Sequence, residues 1–447
     1  MAHSVASMAR SVASMAQERI TRTESATADQ AEHAGTATAD SFDARLVKES
    51  FAQLSENASL AMEYFYSHLF TVSPETRAMF PMSMRQVREH VFLAMSRLVW
   101  SMDSPEQLTA YLTQLGRDHR KYGVKDRHSH AFFTALLATV QFFSGPNWTP
   151  ETAAAWDGAL NYAACTMRSA AAEDARDHPP WWVGEIVAHD RRTDTLAVLT
   201  IRPDVPLPYR AGQYVPVQVA RWPRVWRNYS IANAPRDDGL IDLHVRAVSG
   251  GMVSTALVRH ATVGDTVLLG PARGEMAAPD SDRDLLCVAG GTGLAPIKAI
   301  IQEVAARQRR GERHRRIILF AGARRQEDLY DLPDLQALQA SCPGLQVIPV
   351  LSDEPTLSAQ PAILGLTGMT GQLPDVVRGH GLFENYEACI CGPASMVRQT
   401  ALLLSAHVAP PQIHYDPLPS DDTYAAAPVL RPSYAQFGHS GEPVPGC

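Results

Sequence analysis

The sequence predicts a multi-domain chain: an all-α unit, then an antiparallel β-barrel, then an α/β unit built on a parallel sheet. Three observations predict it. From residue 41 to about 172 the apolar residues recur at helical spacing. From residue 183 they fall into short runs separated by Asp, Gly and Pro. After residue 282 strand-like and helix-like segments alternate. At 447 residues the chain is long enough for several sizeable cores.

In the first unit Met62, Phe65, Tyr66, Leu69 and Phe70 follow the i, i+3, i+4, i+7, i+8 pattern, and Val91, Met95, Leu98 and Val99 largely do so. Pro74, Pro81, Pro105 and Pro150 mark the breaks between helices. The boundaries read as 41–173 for this unit and 174–182 (DARDHPPWW) for a linker. The barrel follows over 183–281, and the α/β unit over 282–418. Barrel strands are expected in VGEIVAHD, LAVLTIRP, YVPVQVA, YSIANAP and LIDLHVRAV, and parallel strands in DLLCVAG, IILFAGAR, LQVIPVLS and YEACICGP. Residues 1–40, in which SVASMA occurs twice, and the Pro/Ser/Gly-rich residues 419–447 are expected to be loose.

Composition narrows the function classes. A net charge of −7 gives no reason to invoke nucleic acid or a membrane as partner. The basic run RQRRGERHRR (307–316) reads as a solvated connection. Six scattered cysteines with no CxxC pair argue against a zinc site or a disulfide framework and for a reducing, cytoplasmic setting. No apolar run approaches the length of a membrane span.

One histidine stands out. In residues 108–124, LTAYLTQLGRDHRKYGV, the side chains of Leu108, Leu112, Leu115 and His119 share one helix face, with Ser104-Pro105-Glu106 opening the helix and Gly123 closing it. A buried imidazole needs a partner for its ring nitrogens. By itself the pattern fits a core histidine satisfied by a backbone carbonyl better than it fits a ligand.

The β-containing half carries four motifs in order. Arg227-x-Tyr229-Ser230 lies on a predicted barrel strand, preceded by Gly212-Gln213-Tyr214 and followed by Gly250-Gly251-Met252-Val253-Ser254 at a helix start. Gly290-Gly291-Thr292-Gly293, with Pro296 in the same CVAGGTGLAPIKAII segment, joins a strand to a helix, and Cys391-Gly392-Pro393 ends a later strand. The residue types allow for ligand chemistry: Arg227 can pair with a phosphate and Tyr229 can stack on a planar ring. Ser230 can hydrogen-bond the ring edge, and the glycine turns admit phosphates to helix N-termini. Each motif alone fits an ordinary turn or strand; together they resemble the ferredoxin-NADP reductase superfamily. That resemblance implies FAD on Tyr214, Arg227, Tyr229, Ser230, Gly250, Gly251, Val253 and Ser254. It implies NADH or NADPH at Gly290, Gly291, Thr292, Gly293, Pro296, Cys391, Gly392 and Pro393. Arg324-Arg325 fit a 2′-phosphate or plain solvation; the resemblance leans to NADH.

With a helical unit ahead of such a reductase, the chain resembles the flavohaemoglobin family from about residue 41 to 418. The all-α unit is then a globin. The resemblance implies haem b with His119 as the proximal iron ligand, Tyr66 as the distal hydroxyl donor, and Phe80 packed on the porphyrin. The distal position where the family often has glutamine holds Val87, beside Gln86. The family's proximal Tyr/Glu pair appears as Ser129 and Ala171, with His130 and Glu173 nearby, and the aromatic that shields the flavin is replaced by Leu418. The implied activity is a nitric oxide dioxygenase that takes O2, NO and NAD(P)H. The departures favour, as alternatives, a divergent member with another donor such as lactate, or a haem-based gas or redox sensor.

Overall fold

The computed structural model describes residues 42–311, 314–353, 368–381 and 383–416. Leu418 and the two segments read as loose lie outside them.

The first unit contains helices α1 (Ala44–Ser55), α2 (Ala58–Val72), α3 (Arg85–Trp100), α4 (Pro105–His119), α5 (Asp126–Ser144) and α6 (Pro150–Asp177). Local chemistry sets their starts. The Asp43 carboxylate accepts from Arg45 N and Leu46 N, and Thr149 Oγ1 accepts from Thr152 N at 3.2 Å. Pro105 and Pro150 stand in first turns, where a missing N–H costs nothing. The core gathers Phe51, Phe65, Leu112 and Trp156, and the Trp156 indole donates to Ser50 Oγ at 2.8 Å. Helices α4 and α6 cross at Gly116, where an added Cβ would come within 2.7 Å of Met167 Cα and closer still to its carbonyl oxygen. Helix α6 runs on through Asp177, so the non-helical connection shrinks to residues 178–181. Arg120, just past α4, bonds both Asp174 and the His178 carbonyl and ties that connection down.

The second unit is a six-stranded antiparallel sheet in the order β4-β3-β6-β1-β2-β5, made of β1 (Trp182–Thr193), β2 (Leu196–Pro203), β3 (Tyr214–Val219), β4 (Arg227–Ser230), β5 (Ile241–Arg246) and β6 (Thr266–Leu269). It curls until its edges meet: Ile231 bridges Leu243, and Ala232 N donates to Asp242 O at 2.7 Å. Helix α7 (Met252–Arg259) buries Val253 and Leu257 in this core. The sequence pattern does not reveal β6, because four residues are too few for alternation to register. The expected strand YSIANAP supplies only Tyr229 and Ser230 to β4, since past Ile231 the chain turns away.

The third unit is a parallel sheet, β10-β9-β8-β7-β11-β12, formed by β7 (Asp284–Gly290), β8 (Ile317–Ala323), β9 (Leu345–Leu351), β10 (Met369–Thr370), β11 (Tyr386–Cys391) and β12 (Ile413–His414). Alternate residues of β7 feed two cores. Leu285, Cys287 and Ala289 pack on α8 (Leu294–Arg309) and α9 (Leu332–Ser341), whereas Leu286 and Val288 pack on α10 (Leu373–His380) and α11 (Ala394–Leu404). A sheet covered on both faces explains why its strands read as continuous apolar runs.

A polar network joins barrel to α/β unit. The His244 ring meets the Tyr330 hydroxyl at 2.8 Å, Lys298 pairs with Asp331 at 2.7 Å, and Arg192 bonds Asp334. Burial, then the Lys298 and Arg192 cations, push His244 down to about 3, and burial raises Asp331 to about 6.

Two outcomes follow. Gly116→Val should destabilise the helical unit by about 1–3 kcal/mol in chemical unfolding, because a side chain there forces α4 off α6; an unchanged midpoint would mean the crossing is not tight. His244 stays neutral in the folded protein while the unfolded chain takes up a proton below its ordinary value of 6.5. Its contribution is therefore full above pH 6.5 and is lost as pH falls toward about 3. Because Asp331 shifts the opposite way, the informative quantity is the difference between wild type and His244→Asn. That difference should turn against the wild type through this window, and parallel curves would count against the buried neutral ring.

Candidate functional site

Helix α2 delivers Tyr66 into an aromatic enclosure. Its ring lies 4.9 Å from Phe65, 5.7 Å from Phe70 and 5.5 Å from Phe80, the last edge-on at 86°. The hydroxyl is buried with no hydrogen-bond partner among the described residues, and burial pushes the phenol well above its ordinary range. A buried, unsatisfied O–H costs about 1–3 kcal/mol, so the geometry suits a ligand that accepts from it. Phe80 follows the turn Pro74–Met79, whose Arg77 donates to the Phe80 and Pro81 carbonyls. Val87, in the first turn of α3, is half-buried against the same core. Gln86 points elsewhere: its Oε1 accepts from Arg227 of the barrel at 2.7 Å.

His119 closes α4. Its Nδ1 sits 2.7 Å from the Leu115 carbonyl oxygen. A carbonyl only accepts, so the proton is on Nδ1 and Nε2 keeps its lone pair. Burial holds the imidazole below its ordinary pKa, hence neutral. The neighbouring Tyr122 ring is 5.9 Å away, and burial, then Asp118, push its phenol up to about 12. Of the residues weighed as acidic or polar partners, Glu173 faces Arg117 at 3.4 Å and His130 is exposed. Among the described residues the ring's hydrogen-bond partner is the Leu115 carbonyl, not Ser129.

In the barrel, Ser230 of β4 pairs with Tyr214 of β3, which sets Tyr229, Ser230 and Tyr214 on adjacent strands. Arg227 is exposed at the start of β4. Gly250 has φ 72°, and Gly251 caps α7. Ser254 Oγ accepts from Val248 N and donates to Gly251 O, both at 3.3 Å, so this hydroxyl shapes its own turn. Val253 points inward and is buried.

The two glycine-bearing loops of the α/β unit meet at the carboxyl ends of β7 and β11, which are neighbours in register, Cys391 beside Ala289. β8 and β9 extend the sheet on one side and β12 on the other, so this is the sheet's switch point. The loops touch backbone to backbone. A Cβ on Gly293 would fall within 2.7 Å of Gly392 N, and one on Gly392 within 3.1 Å of Gly290 N. Thr292 lies in the turn, Pro296 is buried in α8, and Pro393 caps α11. Burial, then the nearby Asp416 charge, pushes the Cys391 thiol up to about 12, so it stays protonated. Arg324 is exposed and Arg325 faces Glu327 at 3.8 Å.

Some site residues carry no sequence signal. Asp416 accepts from Glu275 N and Met276 N at 3.0 and 3.1 Å, bringing the chain from the α/β unit back to the barrel. Arg273 pairs with Asp118 at 2.9 Å, and the Lys121 ammonium lies 5.8 Å over the Trp226 ring. These contacts join residues far apart in the chain, which no local motif can announce.

The chain matches three families: Globin over residues 63–167, oxidoreductase FAD-binding domain over 184–277, and oxidoreductase NAD-binding domain over 287–401. It is 36% identical over 212 residues to the xylene/toluene monooxygenase electron transfer component XylA of Pseudomonas putida, covering 47% of this chain and 56% of that one. It is 31% identical to the ferredoxin–NAD(P)(+) reductase component of the naphthalene 1,2-dioxygenase/salicylate 5-hydroxylase systems of Ralstonia, over 56% of this chain and 74% of that one. The chain spans little more than half the length of the first curated relatives it matches. The flavohemoglobin of Malassezia yamatoensis, solved with bound FAD and heme, shares the fold over 83% of this chain and 97% of its own, with TM-score 0.66 and 16% identity. Among the described residues no helix is long and apolar enough to cross a membrane.

The contact between the two loops makes one direct prediction. Gly293→Ala should weaken NADH binding and lower the stability of the α/β unit by about 1–3 kcal/mol, since the β7 and β11 loops must part. A titration and an unfolding curve matching wild type would show that the loops are free to shift.

Proposed function

Because the chain belongs to the FAD- and NAD-binding oxidoreductases of the ferredoxin–NAD(P)(+) reductase kind and carries a globin ahead of that reductase, the flavohaemoglobin arrangement, we propose that it is an NAD(P)H-dependent nitric oxide dioxygenase. The observation that carries the oxygen chemistry is the buried, unpartnered hydroxyl of Tyr66. A porphyrin also fits the unprotonated Nε2 of a neutral His119, and a dinucleotide fits a glycine cradle that any Cβ would fill. When bound, nicotinamide supplies a hydride, flavin splits it into single electrons, and haem iron accepts them one at a time to activate O2 toward NO.

The protein's own groups bind and orient. His119 would hold the haem iron through Nε2, its tautomer fixed by the Leu115 carbonyl. Tyr66 would donate to a distal oxygen, while Phe80 and Val87 keep that side dry. Arg227 would pair with the FAD pyrophosphate, Tyr214 and Tyr229 would flank the ring, and Ser230 would bond its edge. The turn from Gly250 and Gly251 into α7, with Val253 and Ser254 behind it, would receive the phosphates. Gly290, Gly291, Thr292 and Gly293 would admit the NADH pyrophosphate, backed by Pro296, with Cys391, Gly392 and Pro393 at the nicotinamide. Overall, two molecules each of NO and O2 and one hydride would yield two nitrates.

A second reading draws on the neutral carbonyl partner of His119, which donates less to iron than a carboxylate-held ring. It suits a haem gas or redox sensor whose flavin resets the iron. The intact nicotinamide loops support NAD(P)H as donor over a substitute such as lactate. Steady NADH-driven NO consumption with stoichiometric nitrate is expected. A single turnover that then stops would favour the sensor. Tyr66→Phe should speed oxygen dissociation roughly tenfold or more, the loss of about one hydrogen bond. An unchanged rate would remove Tyr66 from the distal role.

A further inference from the structure

Globin and barrel touch through a small set of polar side chains, and one pair is tied to both functional centres. Asp118 Oδ1 and Arg273 Nε are 2.9 Å apart, with only 31% and 18% of the two side chains exposed. Asp118 is the residue before His119 in α4, and its other oxygen accepts from Gln114 Nε2 at 3.2 Å. Arg273 exchanges both backbone hydrogen bonds with Tyr214, at 2.9 and 2.8 Å, so it is fixed to the strand that carries the flavin-side tyrosine. The guanidinium's Nη2 is buried without a partner, and Asp118 is the only side chain among the described residues that bonds it. Lys121 and Arg273 both act on this end of α4 and Arg227 acts on the neighbouring Tyr122, so Asp118 sets a carboxylate among cationic side chains.

We propose that the Asp118–Arg273 ion pair is a positioning device for electron transfer between reductase and globin, seating the end of α4 against β3 at fixed separation; this rests on the flavin-to-haem reading above. The route is short and specific: Tyr214 to Arg273 by backbone, Arg273 to Asp118 by ion pair, Asp118 to His119 by the chain. Transfer between redox centres falls steeply with distance, so a seam that opens slows this one step. It leaves untouched the hydride step, which the β7 and β11 loops organise, and the His119–Leu115 hydrogen bond, which lies within α4. Neither Asp118 nor Arg273 would touch a reacting atom.

The test uses the full-length protein loaded with haem and FAD, mixed with NADH under carbon monoxide, with flavin and haem bands followed separately. Arg273→Glu, which sets two carboxylates face to face, should cut haem reduction roughly tenfold or more while flavin reduction stays within about twofold. The charge swap Asp118→Arg with Arg273→Glu should recover most of the loss, as should raising salt in the single variant. Amide exchange across residues 114–122 of the oxidised protein, before any NADH is added, should quicken in Arg273→Glu and slow again in the swap. Arg273→Gln serves if the reversal does not fold. Haem reduction at wild-type rate in both Arg273→Glu and Asp118→Arg overturns the proposal, and so does a swap no better than either of those single changes. A wild-type protein whose flavin is reduced but whose haem never is fails the functional reading itself, a result distinct from variants that merely match wild type.

Discussion

The placement of His119 depends first on the crossing of α4 over α6 at Gly116. With no side chain between them, the two backbones meet, and the orientation of α4 is set before any of its side chains is placed. The seven residues from Leu115 to Lys121 then serve five ends at once. Leu115 gives its carbonyl to His119, and Gly116 makes the crossing. Asp118 reaches Arg273 across the seam, Arg120 fastens Asp174 and the His178 carbonyl, and Lys121 covers Trp226. A helix whose last turn is spoken for on every side has little freedom to rotate, and the imidazole orientation inherits that rigidity.

The reductase half reaches the same end by different means. Its binding loops are defined by absence of side chains: Gly290, Gly293 and Gly392 pack backbone on backbone at the ends of two adjacent parallel strands. Such a site exposes N–H groups and helix ends rather than charged side chains, which suits a cofactor that carries its own charge. The buried Lys298, Asp331, His244 and Tyr330 network joins the α/β unit to the barrel. Partly buried ion pairs of this kind are weak sources of stability but strong determinants of geometry once formed.

How much of this the sequence disclosed depends on the range of each interaction. Helices and strands with sustained periodicity were legible, as were the glycine turns, because their cause is local: β7, β8 and β9 are announced by their own apolar runs, although their register is visible only in the sheet. The short β6 had too few residues to declare itself, and the strand expected over 229–235 kept only its first two residues because closure of the barrel at Ile231 interrupts it. At the candidate site Tyr66, Phe80, His119 and the flavin and nucleotide segments could be picked out from motif and resemblance. The partners could not. Arg273 and Asp118 are separated by 155 positions, and Asp416 and Glu275 by 141. Gln86 was adjacent to the expected distal position, but only the packing of barrel against globin turns it toward Arg227.

The partner of His119 bears on what the chain can do. A carboxylate and a carbonyl fix the same tautomer, because both accept from Nδ1–H, so either one leaves Nε2 free to ligate. They differ in how much electron density they push through the ring, and the neutral Leu115 carbonyl pushes less. In the proposed site Tyr66 would act from the opposite chemistry: a buried O–H would stabilise negative charge developing on a bound acceptor, whatever the strength of the imidazole donor. On the proposed reading, a modest donor on one side and a buried hydroxyl on the other would favour the binding of oxygen, and its onward use would depend on a timely supply of electrons. That supply would have to cross the seam between barrel and globin. The distinction between catalyst and sensor therefore turns on how firmly the two halves are held together, more than on the residues within the haem cavity.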